Sequence, residues 1–255
     1  MAQIVARVLV LRRLANGLDK MNDGRRVDGL LFDLDGTLVD TETHTDEAID
    51  VVMTRHGITG FALPPTETRG RTWAHVAEVV RTRTQIKLPA EQLSAELLAQ
   101  WNFATADAKP VPGAPEALRA AAARKLKLAV VSSSPRAVIE RFLQKLGVAE
   151  LVEQCARIGG DDVRNGKPDP EGFLMAARLL AVEPDAALVF EDSRAGLVAA
   201  RAAGMRSMFI TCCATDIAEN TALATASFTN YKTLPSSFWD DLISGGAELT
   251  GRSFT

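Results

Sequence analysis

Asp33-Leu34-Asp35-Gly36-Thr37 is the segment of this sequence best equipped for chemistry. It follows the run Val27-Asp28-Gly29-Leu30-Leu31-Phe32, which reads as a buried strand. Two carboxylates two positions apart at a strand's end project from the same face of the pleat, so Asp33 and Asp35 are expected to share one site. Like charges placed together are unfavourable unless a cation or a functional need compensates them. An acidic turn at Asp35-Gly36 has the same composition. An EF-hand loop is a poorer match, because its sixth and twelfth positions would be Leu38 and His44 in place of glycine and glutamate.

Three further segments carry complementary groups. Ser132-Ser133-Ser134-Pro135-Arg136 follows the apolar Ala129-Val130-Val131, with Ser134 expected as a helix N-cap and Pro135 as the first helical residue. Hydroxyls and free amides at such a helix start suit an anion such as phosphate, although capping alone would explain them. Asn165-Gly166-Lys167-Pro168-Asp169-Pro170 holds Lys167 between a turn glycine and two prolines, either as a rigidly placed cation or as a solvated loop lysine. Glu191-Asp192 ends the strand-like Ala187-Leu188-Val189-Phe190 and offers oxygen ligands suited to Mg²⁺.

The elements that must position these groups alternate between short apolar runs and helical stretches. Helices are expected at Thr43 to His56, around Trp73 to Arg83, Gln92 to Phe103, up to about Arg124, Arg136 to Leu146, Asp169-Pro170 to Leu180, and Arg194 to Ala203. Strands are expected at residues 126–132, at 187–192, at 206–211 and, last, in Ala226 to Tyr231. No strand is expected between Gly57 and Pro112, and Gly159-Gly160-Asp161-Asp162 reads as a loop. The pattern calls for an α/β fold, a doubly wound, Rossmann-like parallel sheet covered on both faces, with an inserted all-helical domain. In such sheets, sites lie at the carboxyl ends of the strands. The expected bounds are a core at 27–40 and 111–233, a helical insert at 41–110, a loosely ordered extension at 1–26 and a C-terminal segment at 234–255 with one docked helix near Phe238 to Leu242.

Composition removes several classes of function. Lys+Arg 29 against Asp+Glu 32 leaves a net charge of -3, which provides no electrostatic footprint for nucleic acid. The apolar run near the start is interrupted by Arg7 and ended by Arg12-Arg13, too short and too charged for a membrane anchor, although an arginine-bearing start could also serve organelle targeting. Cys155 and the neighbours Cys212 and Cys213 give no zinc spacing and point to a reducing, cytoplasmic setting. His44, His56 and His75 all fall in one stretch, leaving no histidine elsewhere for a Ser-His-Asp arrangement.

Taken together, the four ordered motifs resemble those of the haloacid dehalogenase superfamily, over Val27 to about Thr211. The helical insert is similar to the cap of its phosphoglycolate phosphatase and beta-phosphoglucomutase branch. The resemblance implies a Mg²⁺-dependent phosphomonoester hydrolase acting on a small phosphorylated metabolite, as a monomer or weak homodimer. It implies Asp33 as nucleophile and metal ligand, Asp35 as general acid and base with its backbone carbonyl on the metal, and Thr37 as a support for Asp35. Ser132 and Ser133 would meet the substrate's phosphate, Lys167 would neutralise charge, and Asp192 would bind metal with Glu191 as ligand or support. From the residues themselves, Arg69, in Arg69-Gly70-Arg71-Thr72, is either a grip on a second anionic group of the substrate or part of an exposed basic turn, and Arg136 is either a substrate contact or a surface charge. A sugar-phosphate mutase is the alternative, but the position of that group's cap histidine is Thr45 here, with His44 one residue away. A non-catalytic metabolite-binding module is the remaining alternative, and every group needed for hydrolysis is present.

Overall fold

The computed structural model describes residues 25–152 and 154–244. The expectations for residues 1–24 and 245–255 lie outside the described residues. Six strands form one wholly parallel sheet: β1 (Gly29–Phe32), β2 (Lys127–Val131), β3 (Cys155–Ile158), β4 (Ala187–Glu191), β5 (Arg206–Ile210) and β6 (Ala226–Phe228), in the order β3-β2-β1-β4-β5-β6. β1 is therefore central, in register with β2 from Gly29 opposite Lys127 and with β4 from Gly29 opposite Ala187.

The central strands are mostly apolar because both faces are covered. Leu30 and Phe32 of β1, Leu128 and Val130 of β2, and Leu188 and Phe190 of β4 enter one core; Leu31, Ala129, Val131 and Val189 enter the other. This is the period-two alternation of a strand, with apolar residues on both faces of the sheet. One face is covered by α5 (Ala114–Ala123), α6 (Arg136–Lys145) and α11 (Phe238–Ser244), and the other by α8 (Glu171–Leu180) and α9 (Arg194–Ala202). The doubly wound α/β expectation holds.

Between β1 and β2 the described chain is helical: α1 (Glu42–Arg55), α2 (Pro65–Thr68), α3 (Trp73–Thr84) and α4 (Ala90–Ala104). α4 packs against α1 and α3, and the rings of Trp73 and Trp101 lie 6.1 Å apart inside that bundle. The chain leaves and re-enters the sheet layer side by side: the Asp40 amide donates to the Lys109 carbonyl at 2.9 Å, and the Val111 amide to the Leu38 carbonyl at 3.0 Å.

Several details differ from the sequence reading. β3 was not expected, because Cys155-Ala156-Arg157-Ile158 is short, carries an arginine and lies at the sheet edge, where only one neighbour is needed. The short α7 (Ala149–Val152) and α10 (Ile217–Leu223) were also not expected. Pro135 occupies the N-cap of α6 and Ser134 does not cap it, since the Ser134 hydroxyl is engaged by Asp35. The docked C-terminal helix, by contrast, lies where it was expected: Phe238, Trp239 and Leu242 are buried, and the Val27 amide donates to the Leu242 carbonyl at 3.0 Å.

Candidate active site

β1, β2 and β4 are adjacent and parallel, so the loops after all three open at one edge of the sheet. They bring Asp33, Ser132 and Glu191-Asp192 together, and Lys167 reaches the same place from the loop before α8. The Lys167 ammonium donates to Asp33 Oδ1 at 2.5 Å, Glu191 Oε1 at 2.6 Å and the Val131 carbonyl at 3.0 Å. All three of its protons have acceptors, and the Phe173 ring lies 5.0 Å from Nζ. Burial works against the charge, but Asp33 and Glu191 outweigh it and hold the ammonium above its ordinary range.

Asp33, Glu191 and Asp192 present oxygen atoms that all lie within 4.8 Å of one another, in a buried setting. One lysine among three carboxylates leaves an excess of negative charge. Burial raises the Asp33 carboxyl well above its usual range, against the pull of Lys167; burial, Glu42 and Glu191 do the same for Asp192. The donor set fits a hard divalent cation on a specific observation: Asp192 Oδ2 is buried with no hydrogen-bond partner. Glu191 is differently placed. Its Oε2 accepts from the Asp192 amide at 2.9 Å, the Ser193 amide at 2.8 Å and the Ser193 hydroxyl at 2.9 Å, while Oε1 is on Lys167. Glu191 thus organises the loop and the lysine.

Two glycines permit this density. Gly36, with φ +75°, lies so close to Asp192 and Glu42 that a Cβ there would overlap both side chains. A Cβ at Gly196 would overlap Glu191, so the start of α9 needs glycine to approach the carboxylate.

Asp35 has a separate set of partners. Oδ2 accepts from the hydroxyls of Ser132 and Ser134, each at 3.0 Å, and Oδ1 accepts from Thr41 at 3.0 Å. Burial raises its carboxyl above the usual range, opposed by these hydrogen bonds. The expected Thr37 support is a correction: the Thr37 hydroxyl donates to Asp192 Oδ1 at 3.3 Å, and Thr41 holds Asp35 instead. The turn after Gly36 carries Thr37 across to the β4 loop, whereas Thr41 comes back beside Asp35.

The helical insert supplies the opposite wall. Glu42 is buried, pairs with Arg69 at 3.2 Å and is pushed up to about 8 by burial, against Arg69. Sequence reasoning missed Glu42; its only signal was an acid in the first turn of a helix, which dipole stabilisation already explains. Arg69 is not free for substrate here, since Nη1 donates to the Cys213 carbonyl at 2.7 Å. Arg71 has no acidic partner among the described residues: Nη1 donates to the Lys167 carbonyl at 3.3 Å, and its buried Nε has no hydrogen-bond partner. The Ser133 hydroxyl donates to the Gly70 carbonyl at 2.8 Å, tying the β2 loop to the insert. Arg136 is directed away from the site, because its guanidinium pairs with Asp162 at 2.8 and 3.0 Å and its amide with Asp161 at 2.8 Å. Of the two expected placements, this is the surface charge.

A cavity of ≈ 30 Å³ lies between these walls, with Asp33, Asp35, Glu42, Arg69, Trp101 and Ser133 among its lining. Thr45 also lines it, and His44 does not. A second space of ≈ 170 Å³ lies beyond Arg69 and Arg71 and reaches Asp192, Arg194 and Asn220.

A buried Asp33-Lys167-Glu191-Asp192 cluster at the carboxyl edge of a doubly wound sheet, faced by a helical insert, defines a hydrolase of the haloacid dehalogenase-like class. The family model described as haloacid dehalogenase-like hydrolase matches residues 30–210. The chain belongs to that family. It is 38% identical over 176 residues to validoxylamine A 7'-phosphate phosphatase of Streptomyces hygroscopicus subsp. limoneus, covering 69% of this chain and 81% of the relative. It is 32% identical over 190 residues to the phosphorylated carbohydrates phosphatase of Thermotoga maritima, covering 72% of this chain and 84% of the relative. Among solved structures, a putative beta-phosphoglucomutase from Bacteroides vulgatus superposes with a TM-score of 0.72 at 24% identity, over 93% of this chain and 98% of the other, a likeness of fold. The chain is thus an enzyme of the haloacid dehalogenase-like family among relatives named phosphatases. No helix among the described residues is long and apolar enough to cross a membrane.

Proposed function

We propose that this protein is a Mg²⁺-dependent phosphomonoester hydrolase that uses Asp33 as nucleophile and acts on a small phosphorylated metabolite. The observation that carries the reading is the short contact of Lys167 with Asp33 beside the unpartnered Asp192 oxygen. The cation would be held by Asp33, Asp192 and the backbone carbonyl of Asp35, and when bound it supplies the positive charge that lets a phosphate dianion approach a carboxylate. Glu191 and Lys167 fix the Asp33 carboxylate, so attack on phosphorus needs little reorganisation.

Asp35 is the proton carrier. Its raised range favours the protonated form that assists the departing alkoxide, and the ionised form then takes a proton from the water that cleaves the aspartyl phosphate. Its three hydroxyl partners keep it oriented in both forms. Residues 41–110 act as a cap over this site. The ≈ 30 Å³ cavity has room for water and not for a metabolite, since ligand pockets run to roughly 300 Å³ and above. Substrate entry therefore requires the cap to open, and the hydrogen bonds of Ser133 with Gly70 and Arg69 with Cys213 are the contacts that part.

The test is phosphate release from a panel of phosphomonoesters, with and without Mg²⁺, for wild type, Asp33→Asn and Asp35→Asn. Metal-dependent turnover reduced by about 10⁴-fold or more in Asp33→Asn is expected for a covalent nucleophile. Well-folded, metal-loaded protein that hydrolyses no ester would overturn the reading. A mutase would return the phosphoryl group to substrate; Thr45 at the cavity wall, in place of an acid-base histidine, favours transfer to water.

A further inference from the structure

Cys212 and Cys213 follow β5 at the same edge of the sheet as the acidic cluster. The Cys212 amide donates to the Thr229 carbonyl at 3.0 Å, which fixes the pair beside the end of β6. Cys212 is exposed, Cys213 is half-buried, and their sulfurs lie 3.4 Å apart. The Cys213 carbonyl is the acceptor of Arg69, the residue that also pairs with Glu42 and lines both cavities. A change in the backbone at Cys213 is therefore transmitted directly to the cap loop.

We propose that Cys212 and Cys213 form a redox modification site, a vicinal dithiol that a hydroperoxide converts to a disulfide, and that this oxidation lowers turnover through the Arg69 contact. The effect on turnover rests on the phosphatase reading; formation of the disulfide does not. The Cys212 thiolate attacks a peroxide oxygen, the O–O bond breaks, and a sulfenic acid forms as the alcohol or water leaves. The Cys213 thiol then attacks that sulfur, the S–S bond forms, and water leaves with the Cys213 proton. Two thiols are oxidised and one peroxide is reduced.

The roles follow from exposure: Cys212 is exposed and meets the peroxide first, and the half-buried Cys213, whose sulfur lies 3.4 Å away, resolves the sulfenic acid. Cys155 is buried and pushed up to about 12, so it is an internal unreactive control. Bonding brings the sulfurs from 3.4 Å to about 2.05 Å and closes a small ring across one peptide, which restricts the backbone torsions of both residues. The Cys213 carbonyl then turns from Arg69.

Full-length protein treated with hydrogen peroxide, then alkylated and mapped by mass spectrometry, tests the site. The expected result is loss of two hydrogens from the peptide holding Cys212 and Cys213, with Cys155 still a free thiol. A fall in kcat/KM of roughly tenfold is expected, the size of one lost charge-assisted hydrogen bond. Dithiothreitol reverses both, and the C212S/C213S variant, which keeps the Cys213 carbonyl position, shows neither. Free thiols at both positions after treatment, a disulfide without change in turnover, or an equal fall in the serine variant would each overturn the proposal. Should no ester be turned over at all, the phosphatase reading fails while the mass measurement still decides the dithiol.

Discussion

The strand-end floor of the site and the helical wall that faces it manage buried charge in different ways. On the floor, Lys167 makes three hydrogen bonds and Glu191 four, all within loops that the parallel sheet brings together. On the wall, Glu42 is matched by a single arginine, and that arginine also depends on a carbonyl from the loop after β5. The floor is densely hydrogen-bonded, with Asp192 Oδ2 buried and without a partner; the wall is held by a few contacts that cross from insert to core. A fixed floor suits attack on phosphorus, and a separable wall suits entry of substrate.

If the floor depends on Lys167 for charge, removing it is the harshest way to break the contrast. Lys167→Met leaves Asp33, Glu191 and Asp192 buried without their cation, and a loss of about 3 to 5 kcal/mol is expected in urea unfolding at pH 8 without metal. The loss shrinks at pH 5, where the carboxyls take up protons. The equivalent change on the wall, Arg69→Met, is expected to cost less, because Glu42 already favours its neutral form. Equal losses would erase the distinction.

Divalent cation sharpens the same point from the other side. Mg²⁺ at 100 times its dissociation constant is expected to stabilise the protein by about 2.7 kcal/mol, read as a rise in Tm. Asp192→Asn, which removes the charge at the buried oxygen that has no hydrogen-bond partner, should abolish most of that rise, whereas Glu42→Gln should retain it.

The wall has its own pH signature. Glu42 is raised from its unfolded value of 4.5 to about 8, so the folded state holds a proton that the unfolded state releases between those limits. Its contribution is full below about 4.5 and is lost as pH rises towards 8, with a slope of up to about 1.4 kcal/mol per pH unit. Urea unfolding of metal-free wild type and Glu42→Gln across this window is expected to show the flatter profile in the glutamine variant. Parallel profiles would mean that Glu42 ionises normally.

This contrast also explains what could be read from the sequence. Asp33, Ser132 and Asp192 sit at strand ends, and parallel strands assemble their ends whatever the remote packing, so local pattern brought them together; Lys167, in the loop before α8, was legible from its place between a turn glycine and two prolines. Glu42, Arg71 and the Cys213 carbonyl acquire meaning only when the insert folds onto the core, an arrangement that no local period encodes. Thr37 and Thr41 illustrate the limit within one turn: both are hydroxyls near Asp35, and the path of the chain through Gly36 decides that Thr41 supports it while Thr37 crosses to Asp192. β3 was lost for a related reason, since an edge strand with an arginine lacks the continuous apolar run of its central neighbours.

Arg136 provides the smallest and most specific comparison. It begins α6 immediately after the serine loop, so sequence position leaves it either a substrate contact or a surface charge. Its guanidinium nonetheless makes two hydrogen bonds to Asp162 on an exposed surface, and that carboxylate also accepts from the Gly159 amide at 2.8 Å. The pair belongs to the β3 loop and not to the floor or the wall. Exposed pairs contribute about 0 to 1 kcal/mol. Arg136→Ala is therefore expected to leave kcat/KM within about twofold of wild type and to change stability by at most about 1 kcal/mol, as measured by phosphate release and urea unfolding. A large rise in KM with unchanged stability would instead show that Arg136 leaves Asp162 and meets the substrate when the cap closes, extending the wall around the N-terminus of α6.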